Sequence, residues 1–181
     1  MRAALAALPP APPAGAATDA AARLARAPVI WQWQGAQLHR FGVSRPRGRP
    51  VLVVYAQVNR AWLVDLAPGH SLIRTLRATG REVFLLDWGW PGPAQADLSL
   101  DEYVLTGLDG ALRAVCAQAG TRSAHVLGVC QGGALALAHA AVQPARVRSL
   151  TTLMTPVAGR APAPLHQALR TLADALPARP G

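Results

Sequence analysis

The most constraining feature of the sequence is a single cysteine set among glycines, between an apolar run and an alanine-rich stretch. The segment reads Gly128-Val129-Cys130-Gln131-Gly132-Gly133. The pattern predicts a strand over Ala124 to Gly128, a sharp turn at Cys130 (the elbow), and a helix from Gln131 to about Val142. Glycines have no Cβ, so strand and helix can approach closely around the turn. Unpaired N–H groups and the helix dipole favour a thiolate at this place, and Cys130 is the predicted nucleophile.

The rest of the chain alternates between strand patterns and helix patterns. Predicted strands are Val51 to Tyr55, Val83 to Leu86 and Val147 to Met154, and predicted helices are Ser71 to Thr79 and Ser99 to about Ala119, the latter opened by a Ser99–Glu102 capping box. Val29 to Val43 alternates loosely around Gln34-Gly35, which predicts a hairpin. This succession predicts an α/β protein with a mostly parallel, doubly wound sheet, whose ligands bind beyond the carboxyl ends of the strands.

The composition divides the 181 residues into three parts. Residues 1–28 are rich in alanine and proline and are expected to form a flexible extension, with a short helix around Thr18 to Arg26. Residues 29–157 are expected to form the partial core, and 158–181 an Ala/Pro-rich tail. No segment approaches the roughly 20 apolar residues that a membrane-spanning helix needs.

The charge is strongly basic, because 18 arginines and no lysines face nine acids, for a net charge of +9. Such a balance suits nucleic acid or the phosphates of coenzyme A. The arginines are scattered, however, so we interpret them as biased composition and expect no nucleic-acid partner. Cys116 and Cys130 are the only cysteines, which favours a reducing cytoplasm, with Cys116 a small buried residue. No metal-ligand cluster is visible.

Four segments, in this order and spacing, resemble the N-terminal half of the catalytic subunit of polyhydroxyalkanoate synthases. They read VLVVYAQVNRAWLVDL (51–66), VFLLDWGWP (83–91), LGVCQGG (127–133) and LMTPV (153–157). Gln131 after the cysteine and the Val-Tyr-x-x-Val-Asn-Arg stretch point to the two-subunit class III type. The resemblance implies an α/β-hydrolase fold and an acyltransferase that polymerises 3-hydroxyacyl groups from coenzyme A thioesters through a cysteine-linked intermediate. It also implies a second synthase subunit, a polymer granule surface, and no cofactor beyond coenzyme A as leaving group.

A cysteine acyltransferase needs donors for the oxyanion of its tetrahedral intermediate. The N–H of Gln131 is one. The resemblance supports Val58 as the other, whereas spacing alone allows Gln57 or Asn59 equally.

Further residues are placed around the expected pocket. Asn59, Asp87, Trp88 and Trp90 are expected at its rim. Asp87 is expected to organise its loop, because the acid of this fold follows the nucleophile in the chain. Arg60 and Asp65 are expected to form an ion pair.

The chain offers no general base or acid where the resemblance places them. Synthases of this family carry an aspartate and then a histidine well downstream of the cysteine, whereas this sequence ends at Gly181. His139 is expected on the helix after Cys130, facing away from the turn. His166 follows Cys130 too closely in the sequence to be the general base of the family. His39, His70 and His125 precede the nucleophile. We expect each to be a surface histidine or a hydrogen-bonded core histidine.

These observations predict an N-terminal portion of a synthase, truncated before its acid, base and lid. Two alternatives remain open. One is a small cysteine hydrolase of esters or thioesters, which requires His166 to reach Cys130. The other is a non-catalytic remnant that binds a partner subunit or a granule. In a truncated sheet the last strand becomes an unprotected edge, so we expect self-association.

Overall fold

The computed structural model describes residues 12–157, which form a main sheet with helices on both faces and a small two-stranded ribbon. The strands are β1 Val29–Trp33, β2 Ala36–Phe41, β3 Val51–Val54, β4 Asp65–Ala67, β5 His70–Ser71, β6 Val83–Asp87, β7 Ala124–Val129 and β8 Val147–Leu153. The α-helices are α1 Ala16–Arg26, α2 Leu72–Ala78, α3 Asp109–Gln118 and α4 Gln131–Val142. A π-helical segment, Glu102–Leu108, precedes α3, and short 3₁₀ turns occupy Ala61–Val64, Pro93–Gln95 and Pro144–Arg146.

Six strands form the main sheet in the order β1-β2-β6-β3-β7-β8. β3, β6, β7 and β8 run parallel, while β1 and β2 join as an antiparallel hairpin at the side of β6. The predicted doubly wound, mostly parallel sheet is therefore confirmed. β4 and β5 form a separate two-stranded ribbon that the sequence patterns did not predict.

The predicted hairpin turns at Gln34-Gly35. Both residues have positive φ, 47° and 82°. Two consecutive positive φ values give a turn whose twist matches that of the flanking strands, which explains the tight link between β1 and β2.

The buried parallel strands alternate their side chains between two apolar layers. Leu52, Val54, Phe84, Leu86 and Val126 pack under the 102–118 helix and α4. The intervening residues, Val51, Val53, Val83, Leu85 and Val129, pack under α1, α2 and the Ala61–Val64 turn. The period of two follows from the strand pleat, and continuous apolar runs result because both faces are covered.

Helix α1 places part of the expected N-terminal extension inside the packed domain. α1 begins at Ala16, two residues before the predicted start, and it buries Ala16, Ala20 and Leu24. Arg23 ties the helix to the carbonyl oxygens of Asp65 and Leu66. Residues 16–26 are thus part of the packed domain and not a flexible extension, because one helical face is apolar enough to be buried. Residues 1–11 and the proposed tail, 158–181, lie outside the described residues.

The long helix before the elbow begins with the predicted capping box. Glu102 accepts a hydrogen bond from the N–H of Ser99 at 2.8 Å, and Ser99 Oγ accepts one from the N–H of Glu102 at 3.3 Å. The helix is π-helical over Glu102–Leu108, which propensity did not predict. A Cβ on Gly107 would come within 2.7 Å of the Trp33 ring, and one on Gly110 within 2.7 Å of the Trp31 ring. The two glycines therefore let the first hairpin pack against this helix.

The last strand is the least covered of the main sheet. Among residues 12–157, β8 pairs only with β7, and five of its seven residues are exposed. Within the same residues, no helix is long and apolar enough to cross a membrane.

Candidate functional site

Cys130 lies at the turn between β7 and α4. Its φ of 54° and ψ of −127° fall in a region that residues with a side chain rarely adopt. Its N–H donates to the carbonyl oxygen of Leu153 at 2.8 Å, and its carbonyl accepts from the N–H of Gly133 at 3.0 Å. The side chain is half-buried. The sequence placed the sulfur at a strained turn before a helix, and the geometry agrees.

The three elbow glycines are required by close approach of the backbone. A Cβ on Gly128 would overlap the backbone of Gly133, and one on Gly133 would overlap the Thr155 hydroxyl. A Cβ on Gly132 would overlap the carbonyl of Val54 and lie 2.5 Å from the carbonyl oxygen of Tyr55. The elbow therefore fits against the ends of β3 and β8 only when these positions lack side chains.

Hydrogen bonds and a stacking contact bring together the loops after β3, β6 and β7. Gln131 accepts a hydrogen bond from the N–H of Gln57 at 3.0 Å and donates its amide N–H to Gln57 Oε1 at 3.1 Å. The indole of Trp88 donates to the carbonyl oxygen of Tyr55 at 3.0 Å. The guanidinium carbon of Arg60 lies 4.3 Å from the centre of the Trp90 ring. The loops after β3, β6 and β7 therefore meet at the carboxyl edge of the sheet.

The Gln57–Gln131 contact narrows the choice of oxyanion donors. The N–H of Gln57 is already engaged by the Gln131 side chain. Of the three donors that spacing allowed, Val58 and Asn59 remain, and Val58 is 75% exposed. The N–H of Gln131 points from the first turn of α4, as a helix N-terminus requires.

The expected rim residues lie at different depths. Trp90 is 68% exposed and Asn59 is exposed, whereas Trp88 is 5% exposed and lies beneath the rim. Trp88 turns inward because its ring packs edge-on against Tyr103 and its N–H is satisfied by Tyr55. Asp87 accepts a hydrogen bond from the N–H of Gly89 at 2.9 Å, which shapes the loop after β6.

The expected ion pair between Arg60 and Asp65 is wrong. Asp65 lies 3.4 Å from both Arg23 and Arg74, which come from α1 and α2, and it accepts a hydrogen bond from Ser71. Arg60 instead stacks on Trp90. The prediction failed because it chose the arginine nearest to Asp65 in the preceding loop, whereas the fold brings arginines from two helices to Asp65.

Two residues next to the elbow were missed by the sequence reasoning. Tyr55 and Cys130 pack in the same apolar cluster. Burial raises the pKa of the Tyr55 phenol, and Cys130, when its thiol is ionised, raises it further. Thr155 lies against Gly133, and its hydroxyl donates to the carbonyl of Leu153 at 3.4 Å. The sequence could have indicated these two residues only by their position: Tyr55 comes directly after β3 and Thr155 shortly after β8, at the sheet edge where Cys130 lies.

None of the four described histidines lies in the turn around Cys130. His39 is on β2, which two strands, β6 and β3, separate from β7, and His70 is in the β4–β5 ribbon. His125 is the second residue of β7, roughly 13 Å from the end of the strand at the usual rise per residue, and its ring hydrogen-bonds to Ser149 at 2.7 Å. His166 lies outside the described residues.

His39 and His139 are core residues, but they are not hydrogen-bonded as expected. Neither ring nitrogen of either residue has a hydrogen-bond partner among residues 12–157. His139 is 1% exposed, and its Nε2 lies 3.5 Å from Asp109 Oδ1. Burial lowers the pKa of both imidazoles, with Asp109 partly offsetting the effect at His139.

The described residues form a cleft away from the elbow. It measures about 500 Å³ and lies among α1, α2 and the end of β2. The site assignment therefore rests on the geometry of Cys130 and not on cavity size. Residues 12–157 contain no group of three or more His, Cys, Asp or Glu side chains arranged to hold a metal ion.

Comparison with known proteins agrees with this geometry. A family model described as the alpha/beta hydrolase fold matches residues 64–180. The chain belongs to the α/β-hydrolase fold family. A monoacylglycerol lipase from Paleococcus ferrophilus superposes with a TM-score of 0.56 at 18% identity, covering 78% of this chain and 52% of the lipase. A thioesterase domain from the curacin biosynthetic pathway gives 0.54 at 19% identity, covering 83% and 52%. At 18% and 19% sequence identity, these two similarities show a shared fold and nothing about activity.

Sequence relatives are more specific. The poly(3-hydroxyalkanoate) polymerase subunit PhaC of Thiocystis violacea is 39% identical over 123 residues, 68% of this chain. The subunit of the same name from Allochromatium vinosum is 39% identical over 131 residues, 69% of this chain. This α/β-hydrolase chain spans 35% and 36% of the length of those relatives. The resemblance to the polymerase family is thus confirmed over the matched segment.

Proposed function

We propose that this chain performs the acylation step of a poly(3-hydroxyalkanoate) polymerase, with Cys130 as the nucleophile for a 3-hydroxyacyl-coenzyme A. The observation that carries the proposal is the half-buried sulfur at a strained strand–helix turn in a chain that resembles polymerase subunits. The α/β-hydrolase fold alone would fit many reactions, so the substrate class comes from the relatives.

A thioester substrate suits a thiolate. The Cys130 sulfur forms a bond to the acyl carbon, the carbon–sulfur bond to coenzyme A breaks, and coenzyme A leaves as a thiolate that water protonates. One thioester replaces another, so the acyl-enzyme retains its reactivity. The oxyanion formed on the way would accept hydrogen bonds from the N–H groups of Gln131 and Val58, and one such donor is typically worth about 3 kcal/mol of barrier.

The elongation step makes a further demand. A hydroxyl that takes the acyl group from Cys130 must lose its proton, which requires a base within reach. His39, His70, His125 and His139 lie elsewhere in the fold, and residues 12–157 place no other histidine at the elbow. We therefore propose single acylation without sustained chain growth for this chain by itself. A second synthase subunit, granule association and a cytoplasmic setting complete the proposal, on the strength of the relatives' identity as polymerase subunits.

Mass spectrometry tests the acylation step directly. The chain is incubated with 3-hydroxybutyryl-coenzyme A, quenched in acid and mapped by peptide. We expect one 3-hydroxybutyryl group on Cys130, with an equal amount of coenzyme A released and no polymer. The Cys130→Ala variant should take up no acyl group.

Cys116 provides the matched control, because it is the other cysteine of the chain and is buried in α3. Cys116→Ser should be acylated at Cys130 like the parent. An unmodified Cys130 in a folded protein, as judged by circular dichroism, would refute the proposal. So would equal acylation of the Cys130→Ala variant. Sustained polymer release would refute the single-acylation part alone.

A further inference from the structure

Five arginines from three separate segments converge on the 500 Å³ cleft described above. They are Arg23 and Arg26 of α1, Arg40 of β2, and Arg74 and Arg77 of α2. None of the residues that line this cleft belongs to the elbow or to the loops around Cys130. The cleft is therefore a separate feature of the molecule that acyl transfer does not explain.

Most of these guanidinium groups are held in place by the protein. Arg77 donates to the carbonyl oxygen of Gly42 at 2.7 and 3.1 Å. Arg40 bonds to Glu82, and Arg23 bonds to the carbonyl oxygens of Asp65 and Leu66. Fixed guanidinium groups lose less entropy when they bind an anion, so the cleft is preorganised for one.

The charge of the cleft is only partly compensated. Two carboxylates, Asp65 and Glu82, face the five arginines, and Arg26 has no ion pair or hydrogen bond among residues 12–157. The side chains of Arg23, Arg40 and Arg74 keep 27%, 36% and 49% of their surface accessible. Like charges gathered at one place repel each other, and a multiply charged anion would relieve that repulsion.

The lining between the arginines is apolar. Ala27, Pro28, Phe41 and Ile73 supply it. A cleft of this volume suits a small organic ligand, and an apolar wall beside guanidinium groups suits a flat ring that carries phosphates. A carboxylate, that of Asp65, also lines the cleft and would disfavour a ligand charged throughout.

We infer that this cleft binds a nucleoside diphosphate, with the phosphates on the arginines and the ring against the apolar wall. Arg26 and Arg77 lie on opposite helices of the cleft, and both would donate to phosphate oxygens. The inference does not depend on the proposed acyl transfer, because the Cys130 elbow contributes nothing to this cleft.

Calorimetry at physiological ionic strength tests the inference, with ADP, pyrophosphate and adenosine as the probes. The Cys130→Ala variant serves as the parent protein, so that acylation chemistry plays no part. We expect ADP to bind at one site, pyrophosphate to bind more weakly, and adenosine to bind weakest of the three. Absence of ADP binding would overturn the inference, and pyrophosphate binding as tight as that of ADP would overturn the ring contact.

Charge-removing variants locate the site. Arg26→Gln and Arg77→Gln should each weaken ADP binding about tenfold, because each removes a charge-assisted hydrogen bond to a phosphate oxygen; a tenfold loss corresponds to about 1.4 kcal/mol. Arg122→Gln removes the same charge from an exposed position outside the cleft and should change affinity less than about twofold. An equal loss in Arg122→Gln would show general attraction to a basic protein and would overturn the site. Arg26→Gln removes no hydrogen bond or ion pair among residues 12–157, so its melting temperature should match that of the parent.

Discussion

Gln57 and Gln131 hydrogen-bond to each other in both directions across the carboxyl edge of the sheet. Gln131 accepts from the backbone N–H of Gln57 and donates to its side-chain oxygen, at 3.0 and 3.1 Å. One residue follows β3 and the other follows the nucleophile. The pair therefore links the elbow to the loop that contains Val58, the second proposed oxyanion donor.

Because Gln57 and Gln131 bond to each other, the effects of replacing them on the free energy of unfolding should not add. Gln57→Ala removes one hydrogen bond and leaves the backbone bond, whereas Gln131→Ala removes both. At about 1 kcal/mol for each bond, we expect losses in the free energy of unfolding of about 1 and about 2 kcal/mol. The double variant should resemble Gln131→Ala, as measured by urea denaturation. A double-variant loss equal to the sum of the two would contradict the reciprocal contact.

Gly132 predicts an unusually costly alanine substitution. Alanine in a helix is ordinarily favoured over glycine by about 1 kcal/mol. At Gly132 the added Cβ meets the backbone carbonyls of Val54 and Tyr55, which cannot rotate away, so we expect Gly132→Ala to destabilise by more than about 2 kcal/mol. Gly120→Ala is the control, since its position has a φ of 62° but open space, and should cost about 1 kcal/mol. Equal losses in thermal unfolding would contradict the close contact.

Tyr55 should report the charge on Cys130. The Cys130 thiolate contributes to the raised pKa of the Tyr55 phenol, because two negative charges close together repel. Cys130→Ala should therefore lower the pKa of Tyr55, although burial keeps it above its ordinary value. Phenolate absorbance during alkaline titration measures this, and a Tyr103→Phe background leaves Tyr55 as the only tyrosine. An unchanged midpoint would place Tyr55 out of reach of the sulfur.

Buried histidines should make stability depend on pH. Burial lowers the pKa of His39 and His139 from the ordinary 6.5. Below pH 6.5 the unfolded chain therefore binds more protons than the folded chain, so the free energy of unfolding falls as the pH drops through that value. Each histidine contributes at most about 1.4 kcal/mol per pH unit.

Urea denaturation at pH 7.5 and 5.5 measures this dependence. Replacing both residues, as His39→Gln with His139→Gln, should make the difference between the two pH values smaller. A double variant with the same pH dependence as the parent would assign the effect to other groups.

The exposed strand β8 predicts concentration-dependent association. Among residues 12–157 the outer edge of β8 has no partner strand, and Thr151, Thr152 and Leu153 are exposed. Lysine on an edge strand opposes pairing with another chain, so Thr151→Lys should reduce association in sedimentation velocity. Arg122→Lys, which keeps the net charge and lies off the edge, should leave it unchanged. A parent chain that stays monomeric at high concentration would contradict the prediction.

Local patterns predicted most of the sheet and the elbow. The helix after Cys130 spans Gln131–Val142 as expected, and the four parallel strands, β3, β6, β7 and β8, each differ from their predicted bounds by one residue. These elements could be predicted from the sequence because apolar runs and glycine spacing determine structure over only a few neighbouring residues. Gln131 and the glycines were found for the same reason.

Contacts between distant segments were not readable. Asp65 is paired with Arg23 and Arg74, and the Gln57–Gln131 bonds join residues far apart in sequence. Polar side chains choose partners by proximity in the fold, and several arginines compete for each of the few carboxylates. The π-helical segment, Glu102–Leu108, was missed because it arises from tertiary packing and not from local propensity.

The packing of Trp31 and Trp33 onto Gly110 and Gly107 bears on how the molecule assembles. The hairpin that holds these tryptophans is local in sequence, but the helix that covers them is synthesised much later. The hairpin can therefore form early, yet it acquires its native neighbours only when the middle of the chain has emerged. Such delayed contacts slow folding and leave two large aromatic rings exposed to water during synthesis.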